Sequence, residues 1–505
     1  MTKLAKYLKP YIGSILLAFI LLFVQAMSDL NLPNFMSDIV NVGIQQNGIE
    51  HAAPDAISEQ GYDFITSFMT DEQKKTISEA YEEVTPSAAT DKQIKKYPEM
   101  KNERAYVLRN TDEDTYTKLD AIFGEADWTF INFVEDMAEQ KGSTASQEDM
   151  TTNVDDMDLS KLYEMTPMLK MMPKEQFDSA REKAVQTPES TQQQTGAIFV
   201  REFYKELGAD TSYIQTMYIL KIGGIMLGLS LIGVIAAICV GLLAAKVAAG
   251  FSQVVRRDIF KKVESFSNTE FNRFSTASLI TRSTNDITQM QTLLIMGIRM
   301  ICYAPILGVG GVIMALREST SMSWIIAVSV IVLVGVIVVT FSLVLPRFKI
   351  VQKLVDRLNL VMRENLNGMS VIRAFGNQDF ERERFKRENI RVTNNNLFIN
   401  RTMVFLMPLM MLIMNGTTLL VIWLGAHQIA DSTMQVGNMM AFMQYAMQII
   451  MSFLMISMMF ILVPRAAVSG ERIAEVLAVD PVIKSPKNPK PFPQNVPGRL
   501  VFDHV

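Results

Sequence analysis

The chain has 505 residues, of which 49% are apolar and 20% charged, and its formal net charge is −4. Its 2 cysteines lie in long apolar stretches and its 3 histidines are scattered, so the sequence supports neither a disulfide framework nor a metal cluster. No nucleic-acid recognition module is present. We therefore exclude a nucleic-acid-binding protein and attribute the basic runs to orientation in a membrane.

Six apolar stretches predict six membrane-spanning helices and exclude a soluble protein. About 20 apolar residues suffice to cross a hydrocarbon core of about 30 Å. The first and fifth stretches are weaker candidates than the other four. In chain order the stretches are Tyr11–Leu30, Tyr218–Ala245, Thr292–Leu316, Trp324–Leu345, Thr402–Ala430 and Met439–Val463.

The first stretch has an alternative interpretation as a signal peptide. Three lysines precede the apolar run Ile15–Val24, and Val24-Gln25-Ala26 resembles a cleavage site. The apolar stretch is somewhat longer than a usual signal core, which favours a retained span. The polar residues at its outer end, Asp29, Asn31, Asn34 and Asp38, are expected to be solvated at the membrane interface, with a substrate role as the alternative.

An acidic segment separates the first two spans. Residues 50–210 hold roughly 34 acidic and 17 basic side chains, which leaves the rest of the chain net basic. Asp71–Tyr81 and Ala121–Glu139 have helical apolar spacing, whereas Lys141–Asp158 is rich in Ser, Thr and Asp and predicts a loop. We expect a small, mostly helical inserted domain whose carboxylates form a solvated face.

The Lys and Arg distribution predicts the orientation of the chain. Basic residues precede the first span and follow the second and fourth, starting at Arg256 and Arg347. The connection between spans three and four carries only Arg317, and that between spans five and six carries no Lys or Arg. Because basic loops remain in the cytoplasm, both chain ends should be cytoplasmic and residues 50–210 should lie outside.

Two long helical hairpins should project into the cytoplasm. The helix-compatible stretch Trp324–Phe375 has about 50 residues, or about 75 Å, which exceeds the membrane thickness. We expect it to end at Phe375-Gly376, with Asn377–Phe385 as a short amphipathic piece at the tip. The return to the fifth span then runs through Glu388–Arg401.

The other hairpin joins the second and third spans. At its tip, Ser267-Asn-Thr-Glu270 is a capping-box pattern, and Phe266 and Phe271 are placed for a hydrophobic staple. Phe274 follows one turn later. Exposed phenylalanines at a hairpin tip indicate a protein partner. The alternative is that they fold back onto the hairpin.

Several ordered motifs accompany these two tips. The first loop carries Arg256-Arg257-Asp-Ile-Phe260, Phe271, Ala277-Ser-Leu-Ile-Thr-Arg282 and Asn285-Asp286. The second carries Arg363-Glu-Asn-Leu-Asn-Gly368, Val371-Ile-Arg-Ala-Phe375 and Phe380-Glu-Arg-Glu-Arg-Phe385. Together they resemble the intracellular coupling loops of the ATP-binding cassette (ABC) exporters. Ala277 and Thr281 replace the glycine and serine that are usual in the family, so the resemblance does not define the local backbone conformation at these positions.

The resemblance implies an all-α membrane protein with the six-transmembrane-helix exporter fold (type I exporter, type IV fold). The parts it implies are an elbow and first span (1–49), an acidic extracellular domain (50–210), spans two to six with coupling loops at about 246–291 and 347–401 (211–463), a linker (464–497) and the start of a nucleotide-binding domain (498–505). The linker motif is Ala467–Leu477, and Gly498–Val505 looks like the first strand of that domain.

No phosphate-binding Gly-x-x-x-x-Gly-Lys-Ser/Thr loop occurs in these residues, so the chain is expected to be a fragment or a trimmed protein. The resemblance places ATP and Mg in the missing nucleotide-binding domain, and implies that the complete protein is a transport ATPase.

The inserted acidic domain is similar to that of one subunit of heterodimeric multidrug exporters of Gram-positive bacteria. A second half-transporter is therefore expected in a bacterial plasma membrane, with a homodimer still possible.

Two groups of residues are candidates for function, and no catalytic, cofactor-binding or metal-binding residue is expected. The resemblance implies coupling to nucleotide-binding domains through Glu270, Phe271, Phe274, Asp379, Phe380, Glu381 and Phe385. A methionine stripe with two glutamines on the sixth span is a candidate substrate path: Met440, Met443, Gln444, Met447, Gln448 and Met451. Flexible thioethers suit varied apolar ligands such as drugs, lipids or peptides, and plain helix packing is the alternative.

The expected function is ATP-driven export by alternating access. The main alternative from another class is a membrane sensor, in which the inserted domain binds a ligand outside and the hairpins signal inside. A channel is a third possibility, but no filter-like segment or charged ring supports it.

Overall fold

A computed structural model describes residues 2–109, 112–140, 159–172, 175–431 and 433–483, with isolated positions beyond them. The predicted loop Lys141–Asp158 and most of 498–505 lie outside the described residues. Within them, 6 helices are long and apolar enough to cross a membrane. The chain is therefore a nearly all-helical, multi-pass membrane protein, as predicted from its six apolar stretches.

The helices of the membrane part extend well beyond the apolar stretches. A 3₁₀ turn, Thr2–Tyr11, leads into α1 (Ile12–Asp38), and a π-helical segment, Ile39–Gln45, follows it. The remaining long helices are α10 (Thr211–Glu264), α13 (Asn285–Glu318), α14 (Ser323–Asn367), α16 (Gln378–Ala430) and α17 (Val436–Ala478). The short helices α11 (Asn268–Arg273), α12 (Thr276–Ser283) and α15 (Met369–Ala374) lie in the two loops between them.

The inserted segment contains eight described helices and a small sheet. The helices are α2 (Glu59–Thr66), α3 (Asp71–Ala80), α4 (Asp91–Lys96), α5 (Glu113–Gln140), α6 (Leu159–Tyr163), α7 (Thr166–Met171), α8 (Glu175–Gln186) and α9 (Glu189–Glu206). The strands β1 (Ala56–Ser58), β2 (Tyr81–Val84) and β3 (Ala105–Leu108) form an antiparallel sheet in the order β1-β3-β2. The helices at Asp71 and Ala121 were predicted. The sheet was not, because strands of three or four residues are too short to show alternation.

The core of the inserted segment is aromatic. Phe64 of α2 and Phe68 of the turn after it both lie edge-on against Phe130 of α5. The distances between ring centres are 5.2 and 5.4 Å. Phe177 of α8 meets Phe68 in the same way at 5.5 Å. Burial of such rings is the main stabilising term for a domain with neither disulfide nor metal among its described residues.

The chain forms two compact units. One comprises residues 1–25, 235–305 and 454–505, and the other comprises 26–234 and 306–453. The first unit has an apolar core formed by the chain start, α10, the first loop and the end of α17, including Leu4, Phe251, Val255, Phe274 and Ile473. The second unit contains the inserted segment and a long antiparallel pair of helices, α14 and α16.

Candidate coupling loops and transport path

The tip of the first loop, in the first unit, is a capped helix. Both the backbone N–H and the hydroxyl of Ser267 donate to Oε2 of Glu270 at 2.6 Å, which completes the predicted capping box at the start of α11. The Phe266 and Phe271 rings meet edge-on at 6.0 Å, as expected for a hydrophobic staple. The local sequence pattern thus produces the expected local structure.

Glu270 also binds the segment after α17. Its Oε1 accepts a hydrogen bond from the backbone N–H of Val482 at 3.0 Å, and the residue is only 5% exposed. The hydrogen bonds from Ser267 and then from Val482 hold the pKa of this carboxyl below its usual range. Glu270 therefore joins the loop to the linker segment that follows α17, a role that its sequence position did not indicate.

The two phenylalanines of α11 and its C-terminal cap have different environments. Phe271 is 40% exposed, whereas Phe274 is 4% exposed and belongs to the core of the first unit. The guanidinium of Arg282 lies 4.9 Å from the Phe274 ring centre, a cation–π distance. The expectation of exposed phenylalanines at this tip is therefore wrong for Phe274, because the chain turns at Ser275 and returns its ring to the core.

Two polar residues of the first-loop motif attach the loop to α17. Arg282 donates to the carbonyl of Arg472 at 2.9 Å and to Glu475 at 2.8 Å. Asp286 accepts from the Ser469 hydroxyl at 3.0 Å and forms an ion pair with Arg472 at 3.4 Å. Sequence reasoning had matched Arg282 and Asp286 to a family pattern without finding their partners, which lie about 190 residues away.

The tip of the second loop, in the second unit, is formed by α15 and the first turns of α16. Gly376 has a φ of +66°, the left-handed conformation that ends helices at little cost in glycine. The predicted short piece Asn377–Phe385 is not a separate element. It begins the 53-residue helix α16, because Glu and Arg pairs at i,i+3 support the helix and no breaker follows before Pro408.

The predicted coupling residues of this tip lie on the first two turns of α16. Phe380 is 63% exposed, Asp379 forms an ion pair with Arg382 at 3.0 Å, and Glu381 pairs with Arg384 at 3.4 Å. Phe385 lines a groove of about 400 Å³ together with α14 and α15 residues. Phe380 is therefore available to a partner at this tip, as are Phe375 and Val371, which are 77% and 58% exposed.

The methionine stripe lies on the less buried side of α17. Met440, Met443 and Met447 are half-buried, while Gln444 and Met451 are exposed. The opposite face, including Tyr445 and Ile449, is fully buried. The stripe is therefore not the main packing face of α17 within this chain, and its role in a substrate path stays a prediction.

Polar groups join α1 and its π-helical extension to α17 in the second unit. The Nδ2 of Asn41 donates to Oδ1 of Asn438 at 2.6 Å, and the backbone N–H of Gly437 donates to Oδ1 of Asn41 at 2.7 Å. The Tyr445 hydroxyl binds Asn34 and donates to the Leu30 carbonyl at 3.0 Å. Asn34 was expected to be solvated at the interface, and the structure instead places it in a contact between helices.

Gln448 takes part in the same set of contacts. Its Nε2 donates to the backbone carbonyl of Asp29 at 3.1 Å. A polar side chain in a membrane span was expected to face a cavity or a neighbouring helix, and for Gln448 the partner is a neighbouring helix. Gln444, one turn away, remains exposed.

Comparisons with known proteins agree with this architecture. A family model described as the ABC transporter transmembrane region matches residues 193–453. An uncharacterized ABC transporter ATP-binding protein of Mycobacterium tuberculosis is 37% identical over 279 residues, 55% of this chain and 48% of the relative. An uncharacterized ABC transporter ATP-binding protein of Bacillus subtilis is 31% identical over 283 residues, 56% of this chain and 49% of the relative.

A fatty acid ABC transporter ATP-binding/permease protein of Mycobacterium tuberculosis is 28% identical over 260 residues, 50% of this chain and 39% of the relative. The chain thus spans about half the length of the first two curated relatives, and less of the third.

Proposed function

Because the chain belongs to the family of ABC transporter transmembrane regions, we propose that it forms half of the translocation pathway of an ATP-driven exporter. Nucleotide-binding domains, which hold ATP and Mg, act on its two loops. Their closing on ATP and reopening after hydrolysis are transmitted along the long helices to the membrane spans. The chain contributes force transmission and a path for substrate.

The observation that carries this proposal is the exposed aromatic residue at each loop tip. Phe271 lies on the capped helix α11 and Phe380 on the first turn of α16, and both rings are exposed. An apolar ring presented by a rigid helix suits a cleft on a partner protein, where buried aromatics contribute most of the binding energy. We assign both rings to contacts with nucleotide-binding domains.

The second half of the pathway is supplied by another such chain, with a heterodimer favoured by the acidic inserted domain. The substrate is hydrophobic, a drug, lipid or peptide. The methionine stripe and the name of the fatty-acid-transporting relative both support an apolar substrate class. The basic residues next to the spans support cytoplasmic chain ends and an inserted domain outside the cell. The bacterial relatives support a bacterial plasma membrane.

The proposal predicts that truncating either exposed ring uncouples the transporter. In the full-length protein, Phe271→Ala and Phe380→Ala should keep nucleotide binding and melting temperature, while substrate-stimulated ATP hydrolysis and transport into proteoliposomes fall. Phe274→Ala is the matched control. Its ring is buried, so the variant should lose about 3 to 5 kcal/mol of stability.

Normal substrate stimulation in both tip variants would contradict the coupling assignment. A signalling protein would also be recognised in these assays, because it would bind a partner through the tips and move no hydrophobic dye across the vesicle membrane in the presence of ATP.

A further inference from the structure

The α14 and α16 pair carries a groove of about 990 Å³ in its apolar part. Side chains from both helices form its walls, and most of them are apolar. They include Val332, Val339 and Leu343 of α14 and Leu397, Phe405 and Leu409 of α16. In a bilayer these apolar walls can contact lipid tails instead of another protein segment, because lipid tails are equally apolar.

One end of this groove is charged. Arg401 lines it together with Asn394 and Thr402, and no ion pair of Arg401 occurs among the described residues. The nearest acidic residue before it on α16 is Glu388, about 20 Å away along the helix, and Glu388 already binds Arg357 and Arg391. A guanidinium at the polar end of an apolar groove suits an anionic headgroup.

Arg401 lies at the boundary between the apolar and the basic part of the helix pair. The next residue, Thr402, begins the apolar stretch of α16, and on α14 the first basic residue after the apolar stretch is Arg347. Arg347 donates to Asn395 at 3.1 Å, which places it one to two turns of α16 beyond Arg401 on the basic side. Arg401 is therefore at headgroup level, at the inner edge of the polar region.

The length of the groove matches a single leaflet. From Leu343 to Val332 the α14 wall spans eleven residue steps, or about 17 Å. Half of a hydrocarbon core of about 30 Å is about 15 Å. A ligand with its anionic group at Arg401 would thus extend its apolar part to about the middle of the bilayer.

From this charge and length complementarity we infer that the groove binds an anionic phospholipid of the leaflet beside the basic extensions. The phosphate accepts hydrogen bonds from the Arg401 guanidinium, with Asn394 and Thr402 beside it, and an acyl chain lies along the α14 and α16 walls. The inference needs insertion of these helices in a membrane and does not depend on the direction of transport.

Gly335 provides a direct way to block the groove. It lines the α14 wall, and a Cβ added there would meet no atom within 4 Å. Gly335→Leu should therefore fill the groove without a clash inside the chain, and it also removes a helix-weakening glycine. Gly416 of α16 has the same free space but does not line the groove, so Gly416→Leu is a matched control.

The test uses the full-length protein in detergent, with phosphatidylglycerol and phosphatidylcholine as probes. Native mass spectrometry would measure the retention of each lipid. Wild type should prefer phosphatidylglycerol, and Arg401→Gln should bind it about tenfold more weakly, with Arg401→Lys recovering part of the loss. Gly335→Leu should lower retention of both lipids. Lys353→Gln, which removes an exposed charge outside the groove, and Gly416→Leu should behave as wild type.

Three results would overturn the inference. The first is an unchanged lipid preference in Arg401→Gln or unchanged retention in Gly335→Leu. The second is that those variants assemble less than wild type with the second half-transporter at every lipid concentration. That result would show that the groove contacts the second half-transporter. The third is displacement of phosphatidylglycerol by an equimolar long-chain fatty acid, which would assign it to a transported amphiphile.

Discussion

At the tip of the first loop, the carboxylate of Glu270 makes hydrogen bonds in two directions. One oxygen caps α11 through Ser267, and the other accepts from Val482 after the end of α17. A single side chain thus holds the loop against the segment that follows α17.

Glu270→Gln is expected to lower the melting temperature of the protein at neutral pH. The folded-state pKa of Glu270 is lowered, so its stabilising effect is present above the unfolded pKa of about 4.3 and is lost as the pH falls through the folded pKa. The gap in melting temperature between wild type and variant should therefore close as the pH falls. Glu264→Gln, an exposed position on α10, is the control and should show no gap. A gap that stays constant with pH would contradict the assignment.

The helices α1 and α17 are joined by polar contacts that involve an unusual element. Asn41 lies in the π-helical segment Ile39–Gln45, and π-helical turns are frequently found at functional sites. The same segment leads directly into the inserted domain. The hydrogen bonds of Asn41 to Gly437 and Asn438 therefore attach the root of that domain to the start of α17.

A double-mutant cycle tests this attachment. Asn41→Ala and Asn438→Ala should each destabilise the protein by about 1 to 2 kcal/mol, because each leaves polar partners unsatisfied within the membrane part. The double variant should lose less than the sum of the two, with a coupling energy of about 0.6 kcal/mol or more. Thermal or denaturant unfolding of the full-length protein measures all three values, and strict additivity would show that the contact has no energetic role.

The methionine stripe of α17 gives a second prediction at this scale. Met443, Met447 and Met451 lie on the less buried side of the helix, so their replacement by leucine conserves volume and should change stability little. Branched leucine is less adaptable than methionine, so the range of apolar compounds transported should narrow or shift. Transport assays in proteoliposomes with several hydrophobic dyes measure this. Unchanged rates for all of them would assign the stripe to packing against the second half.

For the whole molecule, the Lys and Arg distribution predicts a defined orientation in the membrane. Single cysteines can be placed at Ser78 and Gln378, which are both exposed, once Cys239 and Cys302 have been replaced. If the inserted domain lies outside, an impermeant maleimide added to intact cells should label position 78 strongly and leave position 378 unlabelled until the cells are opened. The reverse pattern would contradict the orientation drawn from the Lys and Arg distribution.

The sequence by itself determined the features that depend on neighbouring residues. Six apolar stretches predict six spans because about 20 residues must be apolar to cross a bilayer. Ser267 and Glu270 predict a helix start because their partners are three residues apart. The end of the short helix α15 just before Gly376 likewise follows from the conformational freedom of glycine. The long helix α14 was predicted to continue to this point and instead ends at Asn367, where Gly368 follows. Each of these results from the chemistry of a single short segment.

Only the tertiary structure decided which segments meet. It buried Phe274 and left Phe271 exposed, although both are phenylalanines of the same loop, because only one ring faces the core of the first unit. It joined Asn41 to Asn438, which are 397 residues apart. It also gave Arg282 a partner on α17 and Glu270 a partner beyond the end of α17. No periodicity or spacing encodes such pairs, since they depend on the packing of helices that are distant in the chain.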